Sequence, residues 1–167
     1  PVIAVGAFYA GGRWDEKPEQ AGWTQLCLNL TSGSAQARRI LALGCSLYPM
    51  VTRDYFGLAL SCLPDDFKVA GKLFMNLLRR PVYAEETVRI EGQALAMAAR
   101  GRQSCELRCL DLLLEALYGE HPYGWPALGS PSQLQTARYE TLVPWHRQIL
   151  RRDRMVVSAL GDVDEGA

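Results

Sequence analysis

Two kinds of hydrophobic pattern alternate along the chain. Short apolar runs rich in β-branched and aromatic residues are typical of strands, whereas apolar positions that recur every three or four residues are typical of helices. We predict strands in PVIAVGAFY, CSLYPMV, YFGLALSCL and RMVVSALGDVD. The polar TRD between the two middle strands has the length of a hairpin turn, so these strands run antiparallel. Pro49 has no amide donor and therefore indicates that CSLYPMV is an edge strand or contains a bulge.

Seven stretches with helical spacing lie between these strands. They cover roughly residues 20–31, 35–44, 64–80, 84–102 and 104–117, then a helix that opens at Ser130 and a last one that carries Leu142, Trp145 and Ile149. Pro81 is expected to end the third helix. Ser130, Pro131 and Gln133 resemble a capping box with proline at the first helical position. One face of the fifth helix carries Leu107, Leu110, Leu114 and Leu117.

This order of elements predicts the fold class. A helix-rich chain that contains an antiparallel hairpin favours an α+β domain, with helices packed on one face of an antiparallel or mixed sheet. The chain has 167 residues, of which 49% are hydrophobic, and this is enough for one domain with its own core. Because strands stand at both ends, we expect residues 1–167 to be a single domain that is truncated at both ends.

Charge and hydropathy exclude some classes of function. Lysine and arginine together number 18, as do aspartate and glutamate, so the net charge is zero and gives no reason to expect nucleic-acid binding. No apolar run is long enough for a membrane span, and no signal peptide is visible. The arginine- and leucine-rich composition indicates a bacterial protein. We expect it to be soluble, in the cytoplasm or the periplasm.

Five cysteines, at positions 27, 45, 62, 105 and 109, are an odd number and contain no C-x-x-C pair. They therefore indicate buried thiols in a reducing compartment rather than a disulfide framework. A zinc site built on Cys105 and Cys109 is the less favoured alternative.

Five blocks follow one another in a recognisable series: GGRWDEKPEQAGWTQL, LYPMVTRDYFGLALSCLPDDFKVAGKLFMNLLRRP, EETVRIEGQALA, YGEHPYGWPALGSPSQL and DRMVVSALGDVD. In this order and at this spacing they resemble the pitrilysin/insulinase family of zinc peptidases, the inverzincins, which include the mitochondrial processing peptidase. The resemblance covers nearly the whole chain. It implies the α+β metallohydrolase fold of that family.

Active members of the family carry H-x-x-E-H on the helix that follows the AG dipeptide. The two histidines share a helix face and hold zinc, and the glutamate takes a proton from the zinc-bound water. The resemblance places Gln25 at the first histidine, Leu28 at the glutamate and Asn29 at the second histidine. The third ligand is a glutamate on a later helix, two turns after another glutamate. Glu91 matches the earlier glutamate, and Ala98 stands at the ligand position.

All three ligands and the base are thus replaced. We therefore predict no metal, no cofactor and no catalytic activity for the chain by itself. Without the resemblance, Gln25 and Asn29 form an ordinary polar stripe on a packed helix, which is also not catalytic. Cys27 lies about 100° around the helix from the base position and cannot take its place.

The resemblance implies an inactive peptidase domain that forms a chamber wall, binds unfolded peptide or completes an assembly. Its partner would be an H-x-x-E-H subunit or further domains of the same chain, and unpaired strand edges also favour a homo-oligomer. One alternative is an active metallopeptidase with a rearranged site built from Cys105, Cys109, His121 or His146. The other is a non-proteolytic scaffold that resembles the core subunits of the respiratory cytochrome bc complex. As plainer interpretations, His121 belongs to a turn and His146 is an interfacial or hydrogen-bonded group.

Overall fold

A computed structural model describes residues 1–79, 82–101, 105–126 and 128–162, apart from the side chains of Cys105 and Arg152. In this part of the chain, four strands form one sheet in the order β2-β3-β1-β4, and every neighbouring pair is antiparallel. The strands are β1 (Ile3–Ala10), β2 (Ser46–Val51), β3 (Tyr55–Cys62) and β4 (Met155–Leu160). The predicted α+β class is confirmed, with an antiparallel rather than a mixed sheet.

The helices follow the predicted order. They are α1 (Trp23–Ser32), α2 (Ala35–Leu41), α3 (Pro64–Arg79), α4 (Glu85–Gly101), α5 (Cys105–Tyr118), α6 (Pro131–Thr136) and α7 (Tyr139–Ile149). Short 3₁₀ turns cover Arg13–Asp15, Pro18–Gln20, Pro122–Gly124 and Arg152–Arg154. Within the described ranges, no helix is both long and apolar enough to cross a membrane.

Some predicted boundaries differ from the structure or cannot be compared with it. Pro81, Ser104 and the end of the last predicted strand at residues 163–164 lie outside the described residues. The predicted capping box at α6 is wrong. Pro131 does occupy the first helical position, but the Ser130 side chain makes no capping hydrogen bond. Its Oγ instead lies 2.8 Å from the hydroxyl of Ser132, which competes with the backbone for it.

One face of the sheet forms the core. Register pairs Val5 with Leu60 and Ala7 with Leu58, so β1 and β3 direct these side chains to the same side. All four are buried, and α1 and α3 cover them with the buried residues Leu26, Leu30, Phe74 and Leu77. A shift of register by one residue would turn these positions to solvent, so the burial of this face fixes the register.

Strand β2 forms one edge of the sheet, as Pro49 predicts. The Thr52 amide donates to the Tyr55 carbonyl at 2.9 Å, which begins the hairpin ladder with a hydrogen-bonded pair. Hydrogen-bonded and non-hydrogen-bonded pairs alternate along an antiparallel ladder. The Pro49–Leu58 pair lies three steps from Thr52–Tyr55 and is therefore not hydrogen-bonded. The proline nitrogen therefore faces away from β3, where the ladder needs no donor.

Helix α5 keeps much of its apolar surface exposed. Leu110 is 46% exposed and Leu117 is 66% exposed, although both belong to the leucine face that the helical spacing predicts. Leu107 and Leu114 are half-buried, so the described residues cover this face only in part.

Candidate functional site

Helix α1 is held at its first turn by a buried carboxylate that the sequence analysis did not identify. Glu16 is 5% exposed, and its carboxylate accepts hydrogen bonds from the amides of Gly22 and Thr24 at 2.9 and 2.7 Å and from the Thr24 hydroxyl at 2.6 Å. Burial raises the pKa of Glu16 despite these hydrogen bonds, which lower it. The carboxylate accepts hydrogen bonds from amides that have no acceptor within α1, and it faces the positive end of the helix dipole. Its signal in sequence is only an acidic residue seven positions before the helix begins.

The same end of α1 contacts the loop that contains HPYG. Gly22 has a φ of +96°, and a Cβ added there would lie 2.9 Å from the Cα of Gly129. The Ser130 amide donates to the Ala21 carbonyl at 3.3 Å, and the buried Arg13 donates to the Pro126 carbonyl at 3.0 Å. The first and fourth of the five blocks that carry the family resemblance therefore pack against each other.

The polar residues of α1 form a chain of hydrogen bonds that reaches α4. The Gln25 amide donates to Oδ1 of Asn29 at 3.0 Å, and Nδ2 of Asn29 donates to Oε1 of Glu91 at 2.9 Å. All three side chains are partly buried. The structure thus brings together three of the five residues that the resemblance singles out. The polar stripe expected from helical spacing is also present.

The other two residues occupy different environments. Leu28, at the base position, is 2% exposed and belongs to the apolar core. Ala98 lies on α4 two turns beyond Glu91, on the same face by helical spacing, and is exposed. The donor set does not fit zinc, because amide oxygens are neutral, weak ligands and Glu91 supplies the only carboxylate of the five.

A buried polar cluster lies behind α1. Cys27 and His146 are 0% and 1% exposed, and the Tyr83 hydroxyl lies between the two side chains. It is 3.0 Å from Nδ1 of His146, and the two rings stack with their centres 6.0 Å apart. Burial lowers the pKa of His146 to about 4, and burial raises the pKa of Cys27 and of Tyr83. At neutral pH the three groups are therefore uncharged. His146 is a hydrogen-bonded group, which is one of the two plainer interpretations.

His121 is a turn residue, in agreement with the plainer interpretation. Its Nδ1 accepts a hydrogen bond from the Tyr123 amide at 3.2 Å and caps the short 3₁₀ turn. The ring packs in an exposed aromatic cluster with Trp14, Tyr118 and Tyr123. These contacts explain how the loop is held and assign no chemistry to the imidazole.

The remaining cysteines divide into buried and exposed thiols. Cys45 and Cys62 are buried, as expected, and so is Cys27, but Cys109 is exposed, contrary to expectation. The side chain of Cys105 lies outside the described part of the structure. Across the side chains that are described, no three His, Cys, Asp or Glu residues lie together in a group that could hold a metal ion.

Curated relatives of the chain are named zinc proteases. No family model matches the chain. Uncharacterized zinc proteases of Mycobacterium bovis and Mycobacterium tuberculosis are each 26% identical to it over 169 residues. The match covers 96% of this chain but only 39% of each relative, so the chain spans well under half their length.

Solved structures share the fold over nearly the full chain. A protease from Helicobacter pylori superposes with a TM-score of 0.90 at 18% identity, covering 99% of this chain and 42% of that one. A peptidase M16 inactive domain from Pseudomonas fluorescens gives 0.82 at 18% identity and the same two coverages. A chain of complex III from Candida albicans gives 0.79 at 18% identity, covering 99% of this chain and 39% of that one.

Sequence and fold agree. The sequence relatives are named zinc proteases. The architecture is that of M16-like peptidases, and the structural matches include both a protease and an inactive M16 domain. The chain therefore has the M16 peptidase fold and is a homologue of zinc proteases, which confirms its resemblance to the pitrilysin/insulinase peptidases.

Proposed function

We propose that this chain is a catalytically inactive M16-type domain. Gln25 and Asn29 occupy the positions of the two histidine ligands, Leu28 that of the base, and Ala98 that of the third ligand. The observation that carries the proposal is the hydrogen bond from Asn29 to Glu91. It joins α1 to α4 by a direct contact between two of the residues that the resemblance singles out, and this supports a structural rather than a metal-binding role for Asn29.

The chemistry of these side chains supports inactivity. A catalytic zinc site needs three protein ligands among imidazole, thiolate and carboxylate, together with an open position for water. Two carboxamides and a methyl group supply none of these ligands. Leu28 has no atom that can accept a proton, so even a water molecule at this place would have no general base.

The proposed role is that of a chamber wall, a binding surface for unfolded peptide or an assembly unit. Active sites would then come from an H-x-x-E-H subunit or from further domains of the same polypeptide. The relatives support this division, because they are more than twice as long as the chain and have room for a second domain of this size.

One observation favours a second candidate, a non-proteolytic scaffold. The matching Candida albicans chain comes from a respiratory complex, so this fold also occurs within such an assembly. Copurification separates the two candidates, since an M16 peptidase subunit would support the inactive peptidase domain and membrane redox proteins would support the scaffold. The rearranged metallopeptidase has less support, because His146 is enclosed in the core and His121 caps a turn.

Restoring the ligand set tests the assignment of positions. The triple variant Gln25→His, Asn29→His, Ala98→Glu supplies three zinc ligands and leaves Leu28 in place. We expect this variant to bind about one zinc ion per chain tightly, as a site with three protein ligands does, whereas we expect the wild type to bind none. A matched control restores the histidines but keeps Ala98, and it should bind zinc about tenfold more weakly or worse. A folded triple variant with no more zinc than the wild type would refute the assignment.

A further inference from the structure

Two cysteines face each other across the β2–β3 hairpin. The register pairs Ser46 with Ser61, and one further step places Cys45 opposite Cys62. Cys45 comes one residue before β2, and Cys62 is the last residue of β3. They are 5% and 4% exposed, so both side chains lie on the core side of the sheet.

The position of this pair in the ladder suits a covalent link. The Thr52–Tyr55 pair is hydrogen-bonded, and Cys45–Cys62 lies seven steps further along an uninterrupted register. An odd number of steps makes it a non-hydrogen-bonded pair, in which Cα atoms approach to roughly 4.5 Å. That separation is at the short end of the range, about 4.4–6.8 Å, that disulfides span.

The two thiols are close enough to affect each other's ionisation. Burial raises the pKa of both, and the negative charge of Asp66 adds to the effect. Neighbouring thiols on directly opposed residues can reach the bonded sulfur–sulfur distance of about 2.05 Å by rotation of their side chains.

We propose that Cys45 and Cys62 form a cross-strand disulfide when the protein is exposed to a disulfide oxidant. The thiolate of one cysteine attacks a sulfur of a small disulfide such as oxidised glutathione, and one thiol leaves. The second cysteine then attacks the mixed disulfide and releases the second thiol. The chain loses two protons and two electrons, and the oxidant is reduced to two thiols.

The link joins two junctions of the fold. Cys45 lies between α2 and β2, and Cys62 is the last residue of β3, two positions before α3 begins. The disulfide therefore constrains the hairpin and the helices on either side of it. Strand β2 packs against α1, so oxidation also stabilises the sheet edge beside the polar residues of that helix.

The other described cysteines do not share this geometry. Cys27 lies in the core against the Tyr83 hydroxyl, and Cys109 is exposed on α5. Oxidation should therefore modify Cys109 quickly as a mixed disulfide, without affecting the specific pairing of Cys45 with Cys62.

Peptide mapping tests the proposal directly. The protein is unfolded in urea and refolded in a glutathione redox buffer, so that burial does not limit access of the oxidant. Trypsin then cuts after Arg53, which separates residues 40–53 from residues 54–68. We expect these two peptides to appear as one disulfide-linked species that reductant resolves, with a rise of several degrees in the thermal midpoint of the oxidised protein.

Two variants complete the test. Cys45→Ala should abolish both the linked peptide and the rise in the thermal midpoint, whereas Cys27→Ala should keep both. The proposal is overturned if the refolded wild type carries free thiols or only glutathione adducts at Cys45 and Cys62, or if either one pairs mainly with another cysteine.

Discussion

Nδ2 of Asn29 donates a hydrogen bond to Oε1 of Glu91 at 2.9 Å, and this contact joins α1 to α4. Gln25 extends it by donating to the Asn29 side-chain oxygen. In the proposed account, this chain of polar groups takes the place of a metal ion as the link between the two helices. The contact should then stabilise the fold rather than serve a reaction.

Removing the carboxylate of Glu91 should lower stability. Glu91→Ala leaves the partly buried Asn29 amide without this acceptor, and we expect the free energy of unfolding to fall by about 1–2 kcal/mol. Glu91→Gln keeps an acceptor oxygen and should lose less. Urea denaturation followed by circular dichroism measures the difference.

The matched control for this change is Gln93→Ala, an exposed position on the same helix. It should leave the denaturation midpoint almost unchanged. A double-mutant cycle with Asn29→Ala and Glu91→Ala should show coupling of about 0.5 kcal/mol or more. Additive effects of the two substitutions would mean that the hydrogen bond does not link the helices.

The contact between Gly22 and Gly129 predicts a severe effect of a single methyl group. Gly129 has a φ of +88°, and a Cβ there would overlap the backbone of Gly22. Gly129→Ala should therefore lower the free energy of unfolding by about 2 kcal/mol or more, because it adds left-handed strain and displaces the backbone of Gly22. Thermal unfolding of the variant measures this loss.

Gly44→Ala separates the two contributions. Its φ is +77°, but a Cβ at that position meets nothing within 4 Å. Gly44→Ala should therefore lower the free energy of unfolding by only about 1 kcal/mol, which is the left-handed strain alone. Equal losses at the two positions would show that the loop does not approach α1 as closely as described.

The buried His146 predicts that stability falls in acid. Its pKa is about 4 in the folded protein and 6.5 in the unfolded chain, so between these values only the unfolded chain takes up the proton. The contribution of neutral His146 to the free energy of unfolding is fully present above about pH 6.5. It falls by up to about 3 kcal/mol as the pH drops to about 4. Urea denaturation at several pH values measures this slope.

His146→Asn should remove that slope, because its side-chain amide can accept from or donate to the Tyr83 hydroxyl without taking up a proton. His121→Asn keeps the buried histidine and should keep the slope. Burial raises the pKa of Glu16, so that group acts in the opposite direction, and stability falls as the pH rises above about 4.5. Glu16 is present in both variants, so their difference isolates His146. A slope unchanged in His146→Asn would contradict the assignment.

Much of the fold could be predicted from the sequence because its signals are local. The β-branched and aromatic run of β1, the apolar run of β3, the turn between β2 and β3, and the helical spacing of α3 each depend on neighbouring residues. Pro49 indicated an edge strand or a bulge, because it lacks an amide donor, and β2 is an edge strand. The pair of Gln25 and Asn29 followed from the separation of four positions on a helix.

Long-range contacts had no comparable signal. Glu16 caps a helix that begins seven residues later, and Asn29 meets Glu91 across 62 positions of sequence. The facing of Cys45 and Cys62 depends on hairpin register, which the cysteine count alone could not show. The exposed leucines of α5 mislead for a related reason, because helical spacing predicts an apolar face but does not say what covers it.

The central claim is that this domain holds no catalytic zinc, and the zinc content of the purified protein tests it most directly. The protein is purified without added metal beside a relative that carries an intact H-x-x-E-H motif, and both are analysed for elements. The account predicts close to one zinc per chain in the relative and only traces in this protein. One tightly bound zinc per chain here, together with peptide cleavage that a chelator abolishes, would contradict it.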